Sequence, residues 1–176
     1  VSDVTPFAQM SEAAGGMLTG DSILFVDGFD RALKIPDKGY PGMSLQKTES
    51  EKAIRGSNEG FGDSIKQNTA LIRKRLRSVD LKVAECKCGR RTGTNVDIMY
   101  LDGIVRSEIV TQMQQRLAAF EIDGIGDSGV IEQLTETQWF SPFPQYQTTR
   151  RPDRAVMALL EGRAVLLADN SPEVLI

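Results

Sequence analysis

The amino-acid sequence predicts an α/β protein made of two small mixed α/β subdomains, the first formed by both ends of the chain. Three observations predict it. Short apolar runs flanked by turn residues alternate with stretches whose apolar residues recur every three or four positions. The 176 residues, 40% of them hydrophobic, suffice for a sizeable core in one domain or two small ones. A pattern near the start also returns near the end. Leu18-Thr19-Gly20-Asp21-Ser22-Ile23-Leu24-Phe25-Val26-Asp27-Gly28 aligns with Leu160-Glu161-Gly162-Arg163-Ala164-Val165-Leu166-Leu167-Ala168-Asp169-Asn170, matching a helix end, a glycine, an apolar strand and an Asp-led turn. The expected boundaries are therefore residues 1–60 with 139–176 for the terminal subdomain of paired hairpins and helices, and 61–138 for an inserted β-β-α subdomain.

From the N-terminus, residues 2–17 mix apolar and small side chains in a pattern that predicts a helix weakened by Gly15-Gly16. Residues 23–29 and 32–35 predict a hairpin, with Asp27-Gly28 able to supply a positive-φ turn. Residues 36–60 are rich in glycine and proline and predict an ordered loop or edge segment. Between Phe61 and Val79, the residues Phe61, Ile65, Ile72, Leu76 and Val79 fall on one helical stripe, with Arg73, Lys74 and Arg77 pointing away from it. Strands are expected at 81–88 and 96–101, the second central because it is apolar on both faces. Ser107 is placed to start a helix whose buried face holds Ile109, Val110, Met113, Leu117 and Phe120. A short helix over 130–136 leads into Trp139-Phe140-Ser141-Pro142-Phe143-Pro144, a proline-stiffened connector. Pro152 opens a last helix to about residue 161, followed by a strand at 164–168, a turn at Asp169-Asn170 and a closing strand at 174–176.

The net charge of −3 and pI near 5.1 argue against general nucleic-acid binding. No window approaches the roughly 18 consecutive apolar residues that span a bilayer, so the chain reads as soluble. Val1 in place of an initiator Met, and the apolar end at Ile176, make it read as an excised piece. The absence of His removes the commonest general base and metal ligand. Cys86 and Cys88, two apart in an expected strand, form neither a disulfide framework nor a zinc site, and read as reduced core or edge residues. No cofactor or metal is expected.

Gly124-Ile125-Gly126-Asp127-Ser128-Gly129 matches the G-x-G-x-x-G spacing, but it follows a helix, and no acidic residue lies near Thr149 to hold a ribose; a structural turn is the expectation. Arg73-Lys74-Arg75-Leu76-Arg77 is a basic run. Beside anionic lipid such a run gains about 1 kcal/mol per residue, although a solvated helix face is the simpler account. Asp127 is expected to cap a helix rather than act in acid–base work. Ser128 and Ser141 lack a base and a nucleophile elbow. Catalysis has no positive support.

Several segments, in order, resemble the A subunits of GerA-family spore germinant receptors. They are Gly20-Asp21-Ser22-Ile23-Leu24-Phe25-Val26-Asp27-Gly28; Arg55-Gly56 with Glu59-Gly60-Phe61; Asn68-Thr69-Ala70-Leu71-Ile72-Arg73-Lys74-Arg75-Leu76; Gly89-Arg90-Arg91-Thr92; Asp123-Gly124-Ile125 with Asp127-Ser128-Gly129; Ser141-Pro142-Phe143-Pro144; Arg151-Pro152-Asp153; and Leu159-Leu160-Glu161-Gly162-Arg163. Ser57, Gly126 and Arg150 depart from the pattern, and a related A-subunit-like spore membrane protein shares much of it.

The resemblance implies an N-terminal domain at the spore inner membrane, facing the cytoplasm of the spore core, with a multi-helix membrane region beginning shortly after Ile176. It implies work with a transporter-like B subunit, a lipoprotein C subunit and other A subunits in a homo-oligomer, in nutrient sensing that leads to ion release. The leading expectation is a signalling and assembly domain, not an enzyme. The alternative is capture of an amino-acid-like nutrient in a cleft between subdomains, and the glycine turn keeps a nucleotide enzyme as a third reading. The polar members of the matching segments are the candidate ligand-binding or relay residues: Arg55, Glu59, Asn68, Arg73, Arg75, Arg90, Arg91, Ser128, Glu132 and Arg151.

Overall fold

The structure, a computed structural model, describes residues 4–36, 51, 59–138 and 140–176. These residues divide into two compact units, one of residues 4–36 with Arg77–Val79, the other of the remainder.

In the first unit, β1 (Thr5–Phe7), β3 (Ala32–Ile35) and β2 (Ser22–Leu24) form an antiparallel sheet in the order β1-β3-β2, packed against α1 (Met10–Leu18). The helix expected over 2–17 is thus shorter and preceded by a strand. The residue before a proline favours extended backbone, and an edge strand tolerates the missing N–H of Pro6. The expected hairpin is β2–β3, paired from Ser22↔Ile35 to Leu24↔Leu33, with Gly28 at φ +82° in its connection. Gly16 is where α1 meets the sheet: a Cβ there would lie 3.1 Å from Ile23 Cδ1. Buried Asp21 accepts from Thr19 Oγ1 at 2.9 Å and pairs with Lys34 Nζ at 2.8 Å.

The second unit carries α2 (Ile65–Arg75), β4 (Leu81–Cys88), β5 (Thr94–Leu101), α3 (Ser107–Ala119), α4 (Ser128–Thr135), β6 (Thr148–Thr149), α5 (Pro152–Leu160), β7 (Val165–Ala168) and β8 (Val174–Leu175). Its antiparallel sheet runs β4-β5-β7-β8-β6. Alternation along β5 sends Val96 and Ile98 toward Val110 and Leu117 of α3 and Ile131 of α4. Asp97 points the other way, toward α2, where Thr69 Oγ1 donates to its carboxylate at 3.1 Å. Helices therefore cover both faces, and β5 and β7 are buried between them, as the apolar character of β5 predicts. Each fully buried Ile, Met or Leu here (Ile98, Met99, Leu166, Leu167) contributes about 1.5–3 kcal/mol relative to exposure.

The mixed α/β class is as expected, but the chain is apportioned differently. The first hairpin lies in the three-stranded sheet, whereas the closing strands lie in the five-stranded one. There β7 pairs with β5 through Val96↔Ala168 to Met99↔Val165. Residues 140–176 therefore belong with 80–138, not with the N-terminal hairpin. The reason is burial: a strand as apolar on both faces as β5 needs a partner on each edge, and all four residues of β7 are buried beside it. The helix expected over 61–79 is confined to Ile65–Arg75. Leu76 has left helical geometry, and Phe61 is buried ahead of the helix.

Candidate functional site

The β4–β5 hairpin closes on residues 89–93, with Gly89 at φ +87° and Gly93 at φ +55°. The turn is clamped to the segment after α3. The N–H of Arg90 donates to Ile122 C=O at 2.7 Å, and those of Arg91 and Thr92 to Asp123 C=O at 2.8 and 3.2 Å. Thr92 Oγ1 accepts from Ile125 N–H at 3.3 Å, and Thr94 Oγ1 donates to Ile125 C=O at 3.1 Å. The backbones approach so closely that a Cβ on Gly124 would sit 2.7 Å from Thr92 Cγ2, and one on Gly89 would sit 3.2 Å from Gly124 Cα. The glycines and threonines of Gly89-Arg90-Arg91-Thr92-Gly93-Thr94 and Asp123-Gly124-Ile125 thus serve the fold. The G-x-G-x-x-G spacing is part of this clamp and of the start of α4, where Asp127 Oδ1 accepts from Val130 N–H at 3.1 Å.

The two arginine side chains are left over. Arg91 is 81% exposed and its Nε lies 3.5 Å from Asp123 Oδ1, itself 72% exposed, a pair worth little in water. Arg90 is exposed and lines an open cavity of about 500 Å³ with Lys87, Leu117, Phe120, Glu121 and Asp123. Two cations and two carboxylates beside an apolar wall suit recognition of charged or zwitterionic groups. Lys87 and Glu121 were not singled out by sequence, because isolated charges in a strand and after a helix carry no motif. Burial foremost, then Cys86, pushes the Cys88 thiol up, and burial followed by Asp97 does the same to Cys86, so neither is poised as a thiolate.

The other candidates fall into separate places. Glu59 accepts from Lys74 Nζ and from Arg75, each at 2.7 Å, and the Lys74 bond foremost holds its carboxyl below the usual range. Asn68 is fully buried and bonded to Gly62. Arg73 is exposed on α2. Ser128 is buried at the start of α4, its Oγ 2.9 Å from Ser171 Oγ. Burial, then Glu136 and Glu173, raises the Glu132 carboxyl. Arg151 holds Asp153, with Nε 3.0 Å from Oδ1. Arg55 lies outside the described residues. Glu59 and Arg75 are brought together, as are Arg90 and Arg91; the rest do not converge.

This architecture belongs to a receptor-domain class: the chain matches the crystal structure of the N-terminal domain of the A subunit of the Bacillus megaterium spore germinant receptor GerK3. The TM-score is 0.72 with 33% identity, covering 99% of this chain and 62% of that one. It belongs to the Bacillus/Clostridium GerA spore germination protein family, which matches residues 1–176. It is 38% identical over 175 residues to the uncharacterized membrane protein YfkQ of Bacillus subtilis (strain 168), covering 99% of this chain and 34% of that protein. With spore germination protein KA of the same organism, identity is 36% over 160 residues, 91% of this chain and 29% of that protein. The chain thus spans about a third of the length of these relatives.

Proposed function

We propose that this chain is a signalling and assembly domain of a spore germinant receptor A subunit, relaying nutrient detection to the membrane region during germination. It acts as a receptor component, not an enzyme, on the cytoplasmic side of the spore inner membrane. Its partners are the B and C subunits and other A subunits. The observation that carries this reading is the clamped hairpin: five backbone and hydroxyl bonds hold a turn whose two arginine side chains are exposed. A fixed turn beneath exposed arginines suits contact with a neighbouring subunit, since the turn backbone loses little entropy when those side chains meet carboxylates. The test is Arg90→Ala in the intact receptor, with germination followed by optical density and folding of the domain by circular dichroism. A slower response with a folded domain is expected; a normal response removes the hairpin from the relay.

The mixed charges of the cavity beside Arg90 favour a second reading, an amino-acid-like nutrient whose carboxylate meets Arg90 or Lys87 and whose ammonium meets Glu121 or Asp123. An NMR titration with amino acids, sugars and nucleotides separates the two. Saturable shifts confined to residues 87–90 and 117–123 support nutrient capture, and silence leaves relay alone.

A further inference from the structure

The loop after α4 presents aromatic side chains in an unusual setting. Phe140 and Phe143 are 82% and 77% exposed, the highest values among the large apolar residues described. Their loop is closed at its root by Gln145 Oε1, which accepts from both the N–H and the Oγ1 of Thr137 at 3.0 Å. A turn braces the tip: Ser141 N–H donates to Gln138 C=O at 2.8 Å, and Phe143 N–H donates to Ser141 Oγ at 3.2 Å. From 141 to 144 every backbone N–H is therefore either bonded within the loop or missing because the residue is Pro142 or Pro144. Such a tip can leave water without stranding a donor, the condition that a hydrocarbon environment imposes on any backbone.

Charge points the same way. Residues 137–149 contain no Asp, Glu, Lys or Arg in a chain that is 26% charged, and Arg150 and Arg151, which follow, are each bonded to a carboxylate, Glu173 and Asp153. The shallow cavity at the loop's root is lined by Gln145 with Arg116, which donates to Thr135 C=O, and Arg163, which is paired with Glu161. Apolar aromatics at a charge-free tip match the layering of a bilayer interface, where aromatic rings settle at headgroup level.

We propose that the loop at 140–144 is a membrane-interface anchor, Phe140 and Phe143 entering the headgroup–acyl boundary of a lipid bilayer. This rests on the reading of the parent protein as a membrane receptor, and it adds a second point of attachment that would fix the domain's height and orientation above the lipid.

The test uses the 176-residue chain and sedimentation with vesicles of equal parts phosphatidylglycerol and phosphatidylethanolamine. The chain's single tryptophan, Trp139, adjoins the loop in sequence and serves as a fluorescence reporter. Co-sedimentation with a blue shift of its emission is expected. Phe140→Ser/Phe143→Ser should weaken partitioning on the order of tenfold or more, given the apolar area of two rings. Phe140→Leu/Phe143→Leu should retain most of it, and circular dichroism should be unchanged in both. Absence of vesicle binding, or binding indifferent to the serine pair, overturns the proposal. So does loop-dependent self-association in solution without vesicle binding, which would assign the aromatics to a second copy. Vesicle binding is read without the germination response, so failure of the anchor and failure of the receptor reading are separately visible.

Discussion

The side-chain amide of Asn68 and the backbone of Gly62 bond to each other twice. Asn68 Nδ2 donates to Gly62 C=O at 2.7 Å, and Gly62 N–H donates to Asn68 Oδ1 at 2.9 Å. Both residues are buried, so the ring replaces water for two backbone groups that no strand or helix satisfies. It also stops α2 from extending backward through Phe61, whose own N–H is bonded to Arg150 C=O at 2.9 Å.

Asn68→Ala should therefore cost about 3 kcal/mol in urea denaturation, since a donor and an acceptor are both left buried and unpaired. Asn68→Asp should cost at least as much, because a carboxylate accepts from the N–H but faces the carbonyl oxygen with a lone pair. An alanine variant within about 0.5 kcal/mol of the parent would show that water takes over the ring.

At Glu59 the effect depends on pH. Its carboxyl is held below its ordinary value by the Lys74 hydrogen bond and the nearby Arg75, against a desolvation cost. Stability from a depressed carboxylate is fully present above its unfolded pKa and is lost as pH falls through the folded value. Glu59→Gln should thus destabilise the chain at pH 7 and match the parent at strongly acidic pH, read from thermal midpoints across the range.

Glu132 runs in the opposite sense. Burial and the negative charges of Glu136 and Glu173 raise its carboxyl, so ionisation works against the fold as pH rises. Glu132→Gln should stabilise the chain at neutral pH by a few tenths of a kcal/mol, in the range typical of surface changes. The gain should vanish below the usual carboxylate range, and a gain independent of pH would trace to packing instead.

The contact between Gly124 and Thr92 invites a double-mutant cycle. Gly124→Ala should destabilise by about 1–3 kcal/mol through overpacking against the Thr92 methyl group, 2.7 Å from the new Cβ. Thr92→Ser removes that methyl and keeps the oxygen that accepts from Ile125 N–H. The pair of substitutions should recover at least half of the loss. Purely additive effects would place the strain elsewhere in the turn.

What the sequence by itself determined is local. The period of its apolar residues marked α3, Pro152 marked the start of α5, short apolar runs marked the β4–β5 hairpin, and the two-faced apolar run of β5 marked it as central. Asp127 reads as a helix cap from its neighbours, and it is one. The ordered run of motifs carried the family, which the GerA match confirms. Only the tertiary structure decided which distant segments share a sheet. The repeated hairpin pattern is real as local chemistry, yet the strand that pairs with β5 is β7, all four of whose residues are buried. The N-terminus of α2 is likewise completed by Asp169, whose Oδ1 accepts Ile65 N–H at 3.1 Å from 104 residues away, while the adjacent Ser64 makes no side-chain cap. Periodicity covers a few turns of chain, whereas a hydrogen bond or a buried edge depends on distance in space. For the same reason the candidate residues Arg90 and Arg91 are seen to share a fixed turn only once the segment 122–125 is seen to hold it in place.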